Sequence, residues 1–145
     1  MSKSPTEQML QEMYKSVKMG CENIAGVIPK VSDKFMIGVL TDRLEEFSGY
    51  AVRVSDMLHE RGAEPKEPGM GAKMGAKMGI AANTLIDSTP SHVAEMFIKG
   101  SEMGIQKLEK TRSELAGQCE GKVVSLCNEI IANERRDNKK MEEFL

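Results

Sequence analysis

Apolar residues recur every three or four positions in four separate stretches of the chain, and each stretch predicts an amphipathic helix. In the first, Leu10, Tyr14, Val17, Cys21, Ile24 and Ile28 keep one face toward a partner. Ser4, Pro5 and Glu7 open it as a capping box with proline in the first turn, and Pro29 stops it. The second begins near Ser32 or Asp33 and carries Ile37, Leu40, Leu44, Phe47, Ala51, Val54 and Leu58, with Gly62 placed as its C-terminal cap. The third opens at Thr89-Pro90 and carries Ala94, Ile98, Ser101, Ile105, Leu108, Arg112 and Leu115, with Phe97 flanking. The fourth carries Val123, Cys127, Ile130, Glu134, Asp137, Met141 and Phe144. The predicted helices span about 5–28, 33–61, 90–116 and 120–145, all within one domain.

The connections set the topology. Two are only a few residues long, so the first and second helices, and the third and fourth, form antiparallel hairpins. The middle one, 62–89, is too long for a tight turn. A helix of about 25 residues is roughly 37 Å long, which an extended chain covers in about 11 residues. This crossover can therefore travel the whole bundle. Within it Met70, Met74 and Met78, Gly71, Gly75 and Gly79, and Lys73 with Lys77 repeat every four residues, which predicts a short, glycine-weakened helix over about 72–86. Gly100 and Gly104, one turn apart in the third helix, predict a close approach of another backbone.

Composition narrows the function classes. No β-branched alternation of useful length occurs, so the reading is all-α. Twenty Lys and Arg face twenty-two Asp and Glu, which argues against a general nucleic-acid binder. Three cysteines without a CxxC pattern, an N-terminus without a signal-like apolar core, and no long apolar run suit a cytoplasmic protein.

Candidate chemistry is sparse. Glu134 and Asp137 interrupt an otherwise apolar seam, and buried acids need partners such as water, Ser101, Tyr14 or a neighbouring Lys or Arg. Asp56-x-x-His59 and His92-x-x-Glu95 have metal-like spacing but sit near helix ends, at opposite ends of the bundle under the crossover topology. The methionine stripe reads as adaptable packing, with a membrane-surface helix or a Cu(I) site as alternatives. Cys21 and Cys127 read as core residues and Cys119 as the exposed thiol, with no nucleophile arrangement around it.

A hairpin, a long crossover and a second hairpin form the ferritin-like topology. Arg61-Gly62-Ala63-Glu64-Pro65 resembles the helix exit of many ferritin-like proteins, and Met19-Gly20-Cys21-Glu22 resembles a stretch of small bacterial ferritin-like bundles of unknown function. The resemblance implies a di-iron site of inward carboxylates and two Glu-x-x-His pairs. This sequence departs from it. Helix 4 offers Glu134-x-x-Asp137, helix 2 offers the apolar Leu44-x-x-Phe47, and Glu22 and Glu102 lie beside seam residues. Turning helix 2 to use Glu45 or Glu46 would expose Leu44 and Phe47 together. The expectation is a non-catalytic ferritin-like bundle with no assigned catalytic, cofactor or metal residue, working through self-association or a protein partner. An iron-handling protein with an atypical carboxylate site and a peripheral membrane or stress-related factor stand as alternatives.

Overall fold

Three of the four helices start where a side chain takes up an amide group that the first turn leaves free. Ser4 Oγ accepts from the Glu7 amide at 3.1 Å, Asp33 from Met36 at 2.9 Å and Thr89 from His92 at 3.4 Å. Such caps contribute about 1 kcal/mol each. The computed structural model describes residues 4–68 and 88–145. Among these it contains α1 (Pro5–Val27), α2 (Lys34–Glu60), α3 (Pro90–Leu115) and α4 (Gly121–Glu142), and no strand. Short 3-10 turns at Ile28–Lys30 and Ala116–Gln118 link the two helices within each hairpin. The four predicted helices are present, with boundaries shifted by at most three residues. Gly62 ends α2 with φ +73°, its amide bonding His59 and the next amide bonding Leu58, the paired closure that a left-handed residue permits.

Side-chain pairings fix the relative directions. Between α2 and α4, Glu46 pairs with Arg136, Arg53 with Glu129 and Glu60 with Lys122, so these helices oppose each other. Between α1 and α3, Glu12 pairs with Lys107, and Gly104 lies against Ser16. These two also run in opposite directions. After α2 the chain turns back along α1. Gln11, buried on α1, donates to the Glu64 carbonyl and accepts from the Lys66 amide, both at 2.9 Å, and Tyr14 donates to Glu67 at 2.8 Å. The predicted helix over 72–86, with its Met, Gly and Lys stripes, lies outside the described residues.

The core runs the length of the bundle, from Leu10, Leu58 and Val123 at one end to Met36, Val93 and Met141 at the other. Fully burying one such side chain contributes about 1.5–3 kcal/mol. On α4 the predicted inward positions from Val123 to Met141 are all buried. On α2 the seam is turned by part of a residue step. Met36, Arg43 and Tyr50 face inward where Ile37, Leu44 and Ala51 were expected, and those three pack partly buried at its flank. Leu40, Phe47, Val54 and Leu58 belong to both phases of the pattern, which is why periodicity alone did not separate them. On α1, Met9 and Met13 join the core while Cys21 and Ile28 stay half-buried.

Candidate functional site: a buried guanidinium at the bundle centre

The turned seam of α2 carries a charge into the middle of the core. Arg43 is 3% exposed, one turn from Leu40 and from Phe47. Its guanidinium carbon lies 5.3 Å from the centre of the Phe47 ring, close enough for a cation–π contact. Two other helices supply its polar partners. Arg43 Nη2 donates to Ser101 Oγ of α3 at 2.8 Å, and Nη1 points to Asn138 Oδ1 of α4 at 3.5 Å. Glu134 Oε1 of α4 is 3.9 Å from Nη2, an ion pair without a close hydrogen bond. Asp137, one turn further along α4, is 4% exposed and lies 3.9 Å from Arg136, which itself pairs with Glu46 at 3.1 Å.

Burial sets the electrostatics. It pushes the Glu134 carboxyl up to about 7; Arg43 opposes the rise and the Asp137 carboxylate adds to it. The same desolvation draws Arg43 down from its ordinary value, against the pull of Glu134, Asp137 and Glu46. It also raises Glu46, helped by Asp137 and opposed by Arg136, Lys140 and Arg43. Among the described residues, several atoms of this layer find no hydrogen-bond partner: Arg43 Nε, Glu134 Oε2, Asp137 Oδ2 and Glu46 Oε1. A buried polar atom left so costs about 1–3 kcal/mol, and this layer holds four of them.

Of the candidates read from sequence, Glu134, Asp137 and Ser101 meet here. Glu102 is exposed on the outer side of α3, and Glu22 acts on Tyr14 and Cys21 rather than on Glu134. His59 pairs with Glu64 beyond the end of α2, and His92 sits in the first turn of α3. Cys127 is buried, whereas Cys21 and Cys119 are both half-buried and burial raises all three thiols. Cys119 is thus less open than its loop position predicted. Sequence reading missed Arg43. The available signal was Met36, Leu40, Arg43, Phe47, Tyr50 and Val54, a run with steps of three and four in which arginine alone breaks the apolar series.

Beside this layer the α1–α3 interface opens into a cavity of about 370 Å³. Gly100 and Gly104 line it. A Cβ at Gly100 would meet nothing described within 4 Å, and one at Gly104 only Ser16 Oγ at 3.6 Å. The missing side chains leave space here, where a tight backbone approach was expected. The tight approach is at Gly20, where a Cβ would stand 2.6 Å from the Phe47 ring.

The donor set does not suit the di-iron centre implied by the ferritin-like resemblance. Neither histidine joins the central layer, and the inward α2 position at its level is a cation. Among the described residues no group of three His, Cys, Asp or Glu side chains converges as metal ligands do. No protein-family model, curated protein or solved structure matches the chain.

Proposed function

We propose that this chain is a non-catalytic bundle of ferritin-like topology, acting in the cytoplasm through self-association or a protein partner. The observation that carries the reading is Arg43. Its fixed positive charge stands among Ser101, Asn138 and Glu134 at the level where a bundle of that topology would gather carboxylates around metal. A guanidinium puts a permanent cation beside Glu134 and offers no open coordination position. The topology is supported by helix directions. With α4 opposed to both α2 and α3, α2 and α3 point the same way, the arrangement that a long crossover along the bundle serves. The exit from α2 starts along that course, held on α1 by Gln11 and Tyr14.

The contact function rests on the outward face of α2. Phe35 is 84% exposed and Val52 60%, with exposed Gly38 and Gly49 between them. The glycines let a partner come close, and an exposed phenylalanine is a natural anchor for one. Among the described residues no helix is long and apolar enough to cross a membrane.

Two measurements test the reading. Elemental analysis of the purified protein, with an iron-oxidation assay, is expected to find no stoichiometric metal and no ferroxidase turnover. One or two iron atoms per chain would overturn it in favour of an iron-handling carboxylate site. Light scattering across a concentration series is expected to show association that Phe35→Ser weakens. A monomer at every concentration, with no protein recovered in complex from native extracts, would remove the contact function.

A further inference from the structure

The α1–α3 cavity ends on the charged layer. Its walls are apolar and include Met19, Ile24, Phe47, Met96, Phe97 and Leu108. Arg43, Ser101 and Glu134 also line it. Arg43 and Glu134 are each more than nine-tenths buried, and each keeps one water-inaccessible atom without a partner among the described residues. Arg43 Nε–H is an unused donor and Glu134 Oε2 an unused acceptor, or a donor when protonated. At the rim Glu12 lies 3.8 Å from Lys15 and 3.7 Å from Lys107. The charged residues lining the cavity are thus three cations, Lys15, Arg43 and Lys107, against two acids, Glu12 and Glu134. The balance favours an anion. The volume falls at the lower end of the range for small-molecule sites, about 300–1,000 Å³.

We propose that this cavity binds a small amphipathic carboxylic acid, with its apolar chain along the methionine and phenylalanine wall and its carboxyl group between Arg43 and Glu134. Both unused atoms are closed to water in the free protein, so seating the ligand turns the two side chains, Arg43 Nε–H onto one ligand oxygen and Glu134 Oε2 to share a single proton with the other. An ammonium head would meet Arg43 as a like charge. An alcohol would bring no charge for Arg43 to attract. Methionine walls adapt to chains of differing shape.

Equilibrium dialysis of the full-length protein against radiolabelled decanoate, with decanol and decylammonium compared, tests the proposal. Saturable binding at one decanoate per chain is expected, with both other heads at least about tenfold weaker. Gly100→Leu fills a position where a Cβ meets nothing described, and should weaken decanoate by about tenfold or more while its thermal melt stays cooperative. The rim variant Lys15→Glu with Lys107→Glu does not touch the core. It should weaken decanoate severalfold and leave decanol unchanged. Decanoate uptake that does not saturate, that survives Gly100→Leu, or that decanol equals would overturn the proposal.

Discussion

Two layers of this bundle share the same helices and differ in what they bury. Near the start of α1, Leu10, Met13, Val54, Leu58, Val123, Leu126 and Ile130 make an apolar layer. About one turn along α4 from the end of that helix's apolar stretch, Arg43, Ser101, Glu134, Asp137 and Asn138 fill the equivalent inward positions. Close packing satisfies the first layer, and any group of the right shape serves. In the second, each group depends on a specific partner, since an unpaired buried charge costs far more than a void. The polar layer therefore ties α2 to α3 and α4 in one register through Arg43, while the apolar layer supplies the bulk of the stability.

The largest effects should come from single and paired truncations, which should diverge between the layers. Arg43→Ala leaves Glu134 and Asp137 buried without their central cation and is expected to cost about 3–5 kcal/mol in urea unfolding. Leu58→Ala in the apolar layer is expected to cost a comparable amount, about 2–5 kcal/mol. A second truncation separates them. Adding Ile130→Ala to Leu58→Ala deepens the loss, whereas Arg43→Met with Glu134→Met removes both charges and should recover most of it. A polar-layer double variant as unstable as the sum of its singles would show that the charges stabilise the fold outright.

The next effect belongs to the polar layer alone. The Glu134 carboxyl stands at about 7 in the folded chain against an ordinary 4.5. Between those values the folded state keeps a proton that the unfolded state has lost. Its contribution is complete below pH 4.5, falls as pH rises through 7, and is flat beyond. At about 1.4 kcal/mol per unit the span is of order 3 kcal/mol. Urea midpoints measured from pH 5 to 7.5 should decline more steeply for the wild type than for Glu134→Gln. Leu58→Ala should keep the wild-type slope.

These layers also differ in how far the sequence revealed them. Positions such as Leu40, Val54, Leu58, Val123 and Ile130 are legible because period and chemistry agree, and the helix ends because Ser4, Asp33, Thr89 and Gly62 are the residues that caps require. Glu134 and Asp137 were visible as acids on an apolar seam. Arg43 was not, because helical periodicity leaves α2 two phases one residue apart, and Leu44 made the wrong one look more apolar. What decided the phase is tertiary. Ser101 and Asn138 accept from the guanidinium only once α3 and α4 have packed. The cavity was hidden for a related reason, since Gly100 and Gly104 signal small size without saying whether backbone or empty space lies opposite.

A smaller effect separates the glycines. At Gly20 a methyl would stand 2.6 Å from Phe47, the ring that carries Arg43, so Gly20→Ala is expected to cost about 1–3 kcal/mol despite its better helix propensity. At Gly49 a methyl meets nothing described within 4 Å, and Gly49→Ala should add up to about 1 kcal/mol. Equal thermal midpoints for the two variants would mean that α1 moves away from Phe47 at little cost, and that the polar layer is looser than its pairings suggest.

The smallest effect lies on the rim, where the layers should nearly converge. Arg53 and Glu129 meet at 2.7 Å near the apolar layer, both about half exposed, and such pairs contribute about 0–1 kcal/mol. Arg136 is as exposed as Arg53, yet it reaches from Glu46 to the buried Asp137. Its removal takes from Asp137 a cation that Arg43 only partly replaces. Arg136→Ala should therefore cost more than Arg53→Ala, by about 1 kcal/mol at low salt. Added salt should weaken the Arg53 pair and leave most of the Arg136 effect, because ions screen the surface and not the core. Two equal losses, both erased by salt, would confine the polar layer to Arg43, Ser101 and Glu134 and leave Asp137 to solvent.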